Sequence, residues 1–167
     1  MLGIMYRLLL RFLPSSPISA HCDIPCGIYD PHAAQVAAHT VIRMTQLIEQ
    51  LHTEGNDDKA KKLFFHQLSR YTAVKEEHAE TVKREVRVIW GDYFKEEHLK
   101  TYPQLHEKVF QIMKLTSKTR QSIDMESAQQ LLAAVQEFAE IFWKTKGRET
   151  VHITSPYPTE GELVLPK

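Results

Sequence analysis

Cys22 and Cys26 are the chain's 2 cysteines, and glycine is sparse as well, with 6 in 167 residues. So few thiols cannot build the disulfide framework on which small secreted domains depend. A bridge between these two would close a tiny loop and constrain the unfolded chain little. Their spacing also differs from the C-x-x-C of thioredoxin-like redox sites. Net charge is missing too: 21 Lys and Arg balance 21 Asp and Glu. No basic footprint therefore points to nucleic acid. The most apolar stretch, at the N-terminus, is interrupted by Arg7 and Arg11. It falls short of the roughly 20 mostly apolar residues that stable membrane insertion requires. Neither a Gly-rich phosphate loop nor a strand-like alternation occurs in the body of the chain. What is present is ordinary for a globular domain with a real core, 43% hydrophobic and 25% charged. Metal binding or thiol chemistry remains as the use for two cysteines placed beside His21.

The first twenty residues, MLGIMYRLLLRFLPSSPISA, differ from the rest. They are apolar and basic, hold no acid, and turn to Pro and Ser before ending in a small residue. This is the outline of a leader, residues 1–20, with Ser19-Ala20 as the cleavage site for a maturation peptidase. A cut after Ala20 makes His21 the first residue. Its amine, the Cys22 amide nitrogen and the Cys22 thiolate then close two fused five-membered chelate rings. The His21 imidazole reaches the same ion through a six-membered ring. In the uncut chain that amine is an ordinary peptide nitrogen and a poor ligand. A cytoplasmic location is expected, with export through the N-terminal segment left open.

Beyond residues 21–31 the pattern is helical. Asp30 before Pro31 is a helix start, since Asp caps and Pro suits the first turn. Ala37, Val41, Met44, Ile48 and Leu51 then step by four and three, and Gly55-Asn56-Asp57 ends that helix. A second helix is expected from Asp58 to Trp90, with Phe64, Leu68, Tyr71, Val74, His78, Val82, Val86 and Ile89 on one side and Gly91 as the stop. After the loop DYFKEEHLK, Thr101-Tyr102-Pro103 opens a third helix carrying Leu105, Val109, Ile112 and Met113. Asp124 caps a fourth, with Ala128, Leu131, Val135, Phe138 and Phe142, which ends near Gly147. These elements predict an all-α fold, an antiparallel four-helix bundle over residues 32–147, preceded by the hook 21–31 and followed by an extended tail 148–167.

The stretch HCDIPCGIYDP (21–31), supported by VIWGDYFKEEHLKTYPQLH (88–106) and IFWKTKG (141–147), resembles the nickel superoxide dismutase family. The resemblance implies a homohexamer of small helical bundles that disproportionates superoxide to dioxygen and hydrogen peroxide, cycling one nickel ion per subunit between Ni(II) and Ni(III). It implies His21 (amine and imidazole), Cys22 (amide and thiolate) and Cys26 (thiolate) as the metal ligands. Nitrogen and sulfur donors in a square plane suit divalent nickel. Asp23, Ile24 and Pro25 form the turn between the sulfurs, Pro25 holding φ near about −65°, and the family suggests a cis bond before it. His21 and Tyr29 are the catalytic candidates. Tyr29 either orders substrate or water at the open metal face or packs the hook onto the helices. Tyr93 and Lys95 match a further motif near the site. Trp90 and Trp143 read as core. His32, His39, His52, His66, His98, His106 and His152 read as surface or loop residues. One departure stands out: a glutamate that hydrogen-bonds the axial imidazole in known members is Ala37 here, and its arginine partner aligns with His78. His78 lies on the apolar seam and is expected to point inward, as a core histidine or as an aid to the His21 imidazole. The alternatives to an enzyme are a zinc or copper carrier and a helical interaction module with incidental thiols.

Overall fold

The computed structural model describes residues 26–167. The leader, the Ala20 cleavage point, His21, Cys22 and the Asp23-Ile24-Pro25 turn lie outside the described residues.

Helix α1 spans His32–Glu49. Asp30 starts it as expected: its carboxylate accepts the His32 N–H at 2.8 Å, one of the free donors of the first turn. The helix ends at Glu49, several residues before the Gly55-Asn56-Asp57 stop read from sequence. Those residues instead prepare α2, Asp58–Val88, where Asp57 accepts the Ala60 N–H at 2.7 Å as N-cap. Gly91 does not stop α2. The chain widens into a π-helical turn, Ile89–Tyr93, and closes with Phe94 N–H on the Ile89 carbonyl at 3.3 Å. The loop after it contains a short helix α3, Glu96–Thr101. Helix α4 follows as Leu105–Gln121, and α5 as Met125–Thr145. Asp124 caps α5 by accepting from the Ser127 N–H at 3.0 Å and the Ser127 hydroxyl at 2.7 Å. Lys118 stands 2.8 Å from the same carboxylate, and together with these bonds it holds the Asp124 carboxyl below the usual carboxylate range. Gly147 ends α5 at φ 69°, a left-handed conformation that suits glycine.

The described chain is mostly helical. α1 packs on α2 and α5, and α4 packs on α5 and α2, so each long helix touches two others. Val41, Val82, Ile112, Leu131, Val135, Phe138 and Phe142 are fully buried between them. Helix α2 departs from its expected seam. Its buried positions are Lys75, Ala79, Val82 and Val86, while Leu63 and Phe65 near its start are exposed. Lys75 is buried because its ammonium donates to the Ser122 carbonyl at 2.5 Å, beyond the end of α4. Burial pushes its pKa down.

The C-terminal residues are extended, but they are not a lone tail. Strands β1 (Thr150–Thr154) and β2 (Glu162–Pro166) form an antiparallel pair, with Thr150 opposite Pro166 and Thr154 opposite Glu162. The pair packs on α1 and α5. Leu163 and Val164 are buried. The register places them there, and no periodicity over five residues could have announced it. His39, read as a surface residue, is 2% exposed beneath this hairpin. Among the described residues no helix is long and apolar enough to cross a membrane.

Candidate metal centre

Cys26 is the expected ligand that lies within the described residues. It is a free, exposed cysteine. The Ile28 N–H points to its sulfur at 3.4 Å, a local turn made possible by Gly27 at φ 73°. This contact leaves sulfur lone pairs available to an ion. Three residues after Cys26 the chain turns inward and Tyr29 is buried, 9% exposed, in the core cluster.

Tyr29 meets Tyr93 with ring centroids 5.8 Å apart and planes tilted by 52°. The π-helical turn at the end of α2 swings Tyr93 into this position. Its hydroxyl lies 2.9 Å from Thr145 Oγ1. The Thr145 hydroxyl donates to the Phe142 carbonyl at 2.7 Å, so Tyr93 is the donor in the pair. Phe142 packs on the Tyr93 ring at 4.8 Å, and His98 stacks on it at 5.5 Å and 13°. Lys146 places its ammonium 5.3 Å from the Tyr93 ring centre and 4.9 Å from that of Phe142. A cation over aromatic faces is held by their quadrupoles. Tyr29, Tyr93 and Lys146 thus form one cluster where the hook joins the helices.

Of the residues read from sequence, Tyr29 and Tyr93 come together. Lys95 is exposed just beyond them. Thr145, Lys146 and His98 were not singled out as site residues. Their signal was weak, because contact with Tyr93 depends on how α3 and the end of α5 approach the π-turn. Trp90 is 38% exposed rather than core, and its N–H donates to His106 Nδ1 at 3.0 Å. Trp143 does pack against the core. His98 is partly buried against Tyr93 rather than a plain loop residue. His78 does not reach the interior either. It is half-buried and its Nδ1–H donates to the Val74 carbonyl of its own helix at 2.9 Å. Along α2 it lies about 20 Å from Tyr93 at ~1.5 Å per residue. Ala37 is a core residue of α1, 2% exposed.

Comparison with known proteins agrees with this geometry. The family described as nickel-containing superoxide dismutase matches residues 16–146, across the hook and all five helices. The chain is a member of this nickel superoxide dismutase family. It is 38% identical over 135 residues to the nickel superoxide dismutase of Streptomyces coelicolor, covering 81% of this chain and 95% of that one. The Streptomyces seoulensis nickel superoxide dismutase is 37% identical over the same length and coverage. Native nickel superoxide dismutase superposes with a TM-score of 0.64 at 38% identity, covering 75% of this chain and 99% of the other. A partially X-ray-reduced nickel superoxide dismutase gives a TM-score of 0.66 at 36% identity, with coverage of 76% and 99%. The matched residues end at 146, so the C-terminal hairpin lies outside the family match.

The residues fit the cofactor. Two cysteines and the histidine beside them, Cys22, Cys26 and His21, are the soft sulfur and nitrogen donors that nickel accepts. Among the described residues, no cluster of three or more His, Cys, Asp or Glu offers a competing metal site.

Proposed function

We propose that this nickel superoxide dismutase binds one nickel ion per subunit through the His21 amine and imidazole, the Cys22 amide and thiolate, and the Cys26 thiolate. The continuous family match across residues 16–146, which contains the whole hook, carries the reading. Two superoxide ions and two protons give dioxygen and hydrogen peroxide. When bound, the ion supplies the one-electron couple, Ni(II)/Ni(III), that this exchange needs.

The chain's own residues do the rest. Cys26 presents its sulfur at the surface while Tyr29, three residues on, anchors the same segment in the core. That anchor limits where the hook can stand, and the Tyr29 hydroxyl is read as ordering substrate or water. Tyr93, locked by its bond to Thr145, supports Tyr29 from behind. Lys146 holds a positive charge beside the pair, which attracts an anionic substrate. With nickel bound, the His21 imidazole would be one of the residues that hold and tune it, and Ala37 would leave that imidazole without the glutamate partner known in other members. Imidazole partners of this kind set ligand orientation and basicity.

The helices that pack pairwise in a closed circuit are read as the antiparallel four-helix bundle of residues 32–147, with residues 21–31 as its hook. A peptidase acting after Ala20 frees the amine, and the mature chain assembles into a homohexamer. The working compartment is taken to be the cytoplasm.

The test is to place one extra residue before His21 in an otherwise mature chain. All three side-chain ligands remain, while the primary amine moves. The extended protein is expected to lose nearly all dismutase activity, followed as superoxide decay by pulse radiolysis with nickel measured on the same sample. Full activity in the extended protein would refute the amine ligand. Retained zinc or copper affinity with no activity in either form would favour a metal carrier.

A further inference from the structure

The hairpin of β1 and β2 lies beyond residue 146, where the family match stops, so the family assigns it no role. Its two edges differ. Gln35 bonds both the N–H and the carbonyl of Val164, which therefore point to α1 and away from β1. His39 and Gln136 donate to the Glu162 carbonyl on the same side, at 3.1 and 2.6 Å. Side chains of the helices thus close the outer edge of β2.

Val164 lies opposite His152, and Glu162 opposite Thr154. These are accordingly the pairs of the antiparallel ladder that exchange no backbone bonds. The flanking bonds agree, since the Lys167 N–H meets the Glu149 carbonyl at 2.8 Å and the Ser155 N–H the Gly161 carbonyl at 2.9 Å. The alternation leaves the N–H and carbonyl groups of Thr150, His152 and Thr154 facing outward from β1. Among the described residues, no backbone bond from outside the hairpin reaches them. An open edge is ordinarily guarded by Lys, Pro, a bulge or a covering element. β1 reads TVHIT, with neither Lys nor Pro and a β-branched residue at every position but His152. Its register with β2 is unbroken, and Ile153 is 38% exposed.

The same strand reads almost alike in both directions. Two copies crossing antiparallel at His152 place Thr150 against Thr154 of the second copy, and Val151 against its Ile153. Thr–Thr and β-branched pairs are favourable cross-strand neighbours, and a two-fold contact requires a patch that matches itself. The two imidazoles also meet, but each stands between Glu140 and Glu162, at 2.9 and 2.8 Å, whose carboxylates offset its charge.

We propose that β1 is a docking edge for a second copy of this chain, the two β1 strands pairing antiparallel about His152 to join both hairpins into one sheet. Self-complementarity selects a second copy over an unrelated strand. The pairing is independent of the nickel reading. It is compatible with the proposed homohexamer, because closed assemblies with two-fold axes contain contacts of this kind.

The experiment uses nickel-loaded protein beginning at His21. Amide hydrogen exchange, resolved by residue, reads the edge directly. In a single copy the Val151 and Ile153 N–H groups bond to β2, while that of His152 is open. The His152 amide is expected to exchange about a hundredfold slower than an open amide. Ile153→Lys, which sets like charges beside the seam, should abolish that protection and leave Val151 protected. His152→Cys should give, on mild oxidation, a disulfide between two copies of the tryptic peptide 149–167, which holds no native cysteine. Opposite Cβ atoms stand about 4.5–5.5 Å apart in such a pair. Thr150→Cys and Thr154→Cys do not face themselves and should give none. Fast exchange at His152 in the wild type would overturn the proposal. So would protection without a bridge in His152→Cys, since a different strand would then cover the edge, or an equal bridge from Thr150→Cys, since the register would differ. Light scattering keeps the two assembly readings apart. A homohexamer with an open His152 amide would refute the pairing alone, and a protected amide in a dimer would refute the homohexamer alone.

Discussion

Gln35 and Val164 exchange two hydrogen bonds, the Gln35 amide N–H to the Val164 carbonyl at 2.9 Å and the Val164 N–H to Gln35 Oε1 at 2.8 Å. Both residues are fully buried. A side-chain amide on α1 thus takes the place of a neighbouring strand and satisfies β2 where it enters the core. The relationship ties the C-terminal hairpin to the helix that follows the hook.

Replacing Gln35 with Leu should destabilise the protein by about 2–4 kcal/mol, because a buried N–H and a buried C=O both lose their partner. Urea denaturation of the metal-free protein checks this. Superoxide decay by the folded, loaded enzyme should change little, because Gln35 is no part of the Tyr29–Tyr93 cluster.

Two histidines give hairpin docking opposite pH dependences. His39 donates from Nε2 to the Glu162 carbonyl at 3.1 Å and accepts from the Thr159 hydroxyl at 2.8 Å, with Tyr157 edge-on at 5.2 Å. Burial lowers its pKa below the usual 6.5. The unfolded chain therefore takes up its proton first, and this contribution is present above pH 6.5 and lost as pH falls. His152 sits between the Glu140 carboxylate at 2.9 Å and the Glu162 carboxylate at 2.8 Å, with Lys144 also on Glu140. Its bonds to Glu140 and Glu162 raise its pKa above 6.5, so its contribution is present below 6.5 and lost as pH rises through the folded value. His39→Gln should flatten the acid limb of the stability profile and His152→Gln the upper limb. Melting between about pH 5 and 8 reads both, the His152 effect being the smaller because solvent screens an exposed pair.

Lys146→Gln should lower the second-order rate for superoxide several-fold and flatten its dependence on ionic strength. Steering of an anion by a fixed cation weakens as salt screens it over a Debye length of about 10 Å at 0.1 M. Nickel content should be unchanged. An equal salt slope in variant and wild type would show that the ammonium only packs on Tyr93 and Phe142.

Leu63, Phe65 and Phe110 leave more than half of their surface exposed, at 52%, 63% and 62%. In the proposed hexamer such side chains become contacts, and light scattering on protein beginning at His21 should give about six times the chain mass, as a closed symmetric assembly requires. Phe65→Glu should shift the distribution to smaller species without loss of helicity. A monodisperse monomer for the wild type would count against the assembly.

The sequence by itself determined the helices that carry the domain and the family to which the chain belongs. Asp30, Asp57 and Asp124 all accept first-turn N–H groups, and the apolar steps through Val41, Val82, Ile112 and Phe138 are buried where periodicity placed them. Both signals are local, since caps and a 3.6-residue period act within one or two turns. The family was legible for the same reason, HCDIPCGIYDP being one short run of neighbouring residues.

Tertiary structure decided what depends on contacts between distant segments. Gly91 read as a helix end, yet packing of Tyr93 against Phe142 and Thr145 keeps the backbone turning through Tyr93. Lys75 is buried because the Ser122 carbonyl, 47 positions away, takes its ammonium. Trp90 read as core and stays outside, bonded to His106. His39 and the hairpin above it are the clearest case. Only the approach of residues 150–166 to α1 supplies Thr159 and the Glu162 carbonyl to its ring, and a polar side chain is buried stably when, and only when, such partners arrive.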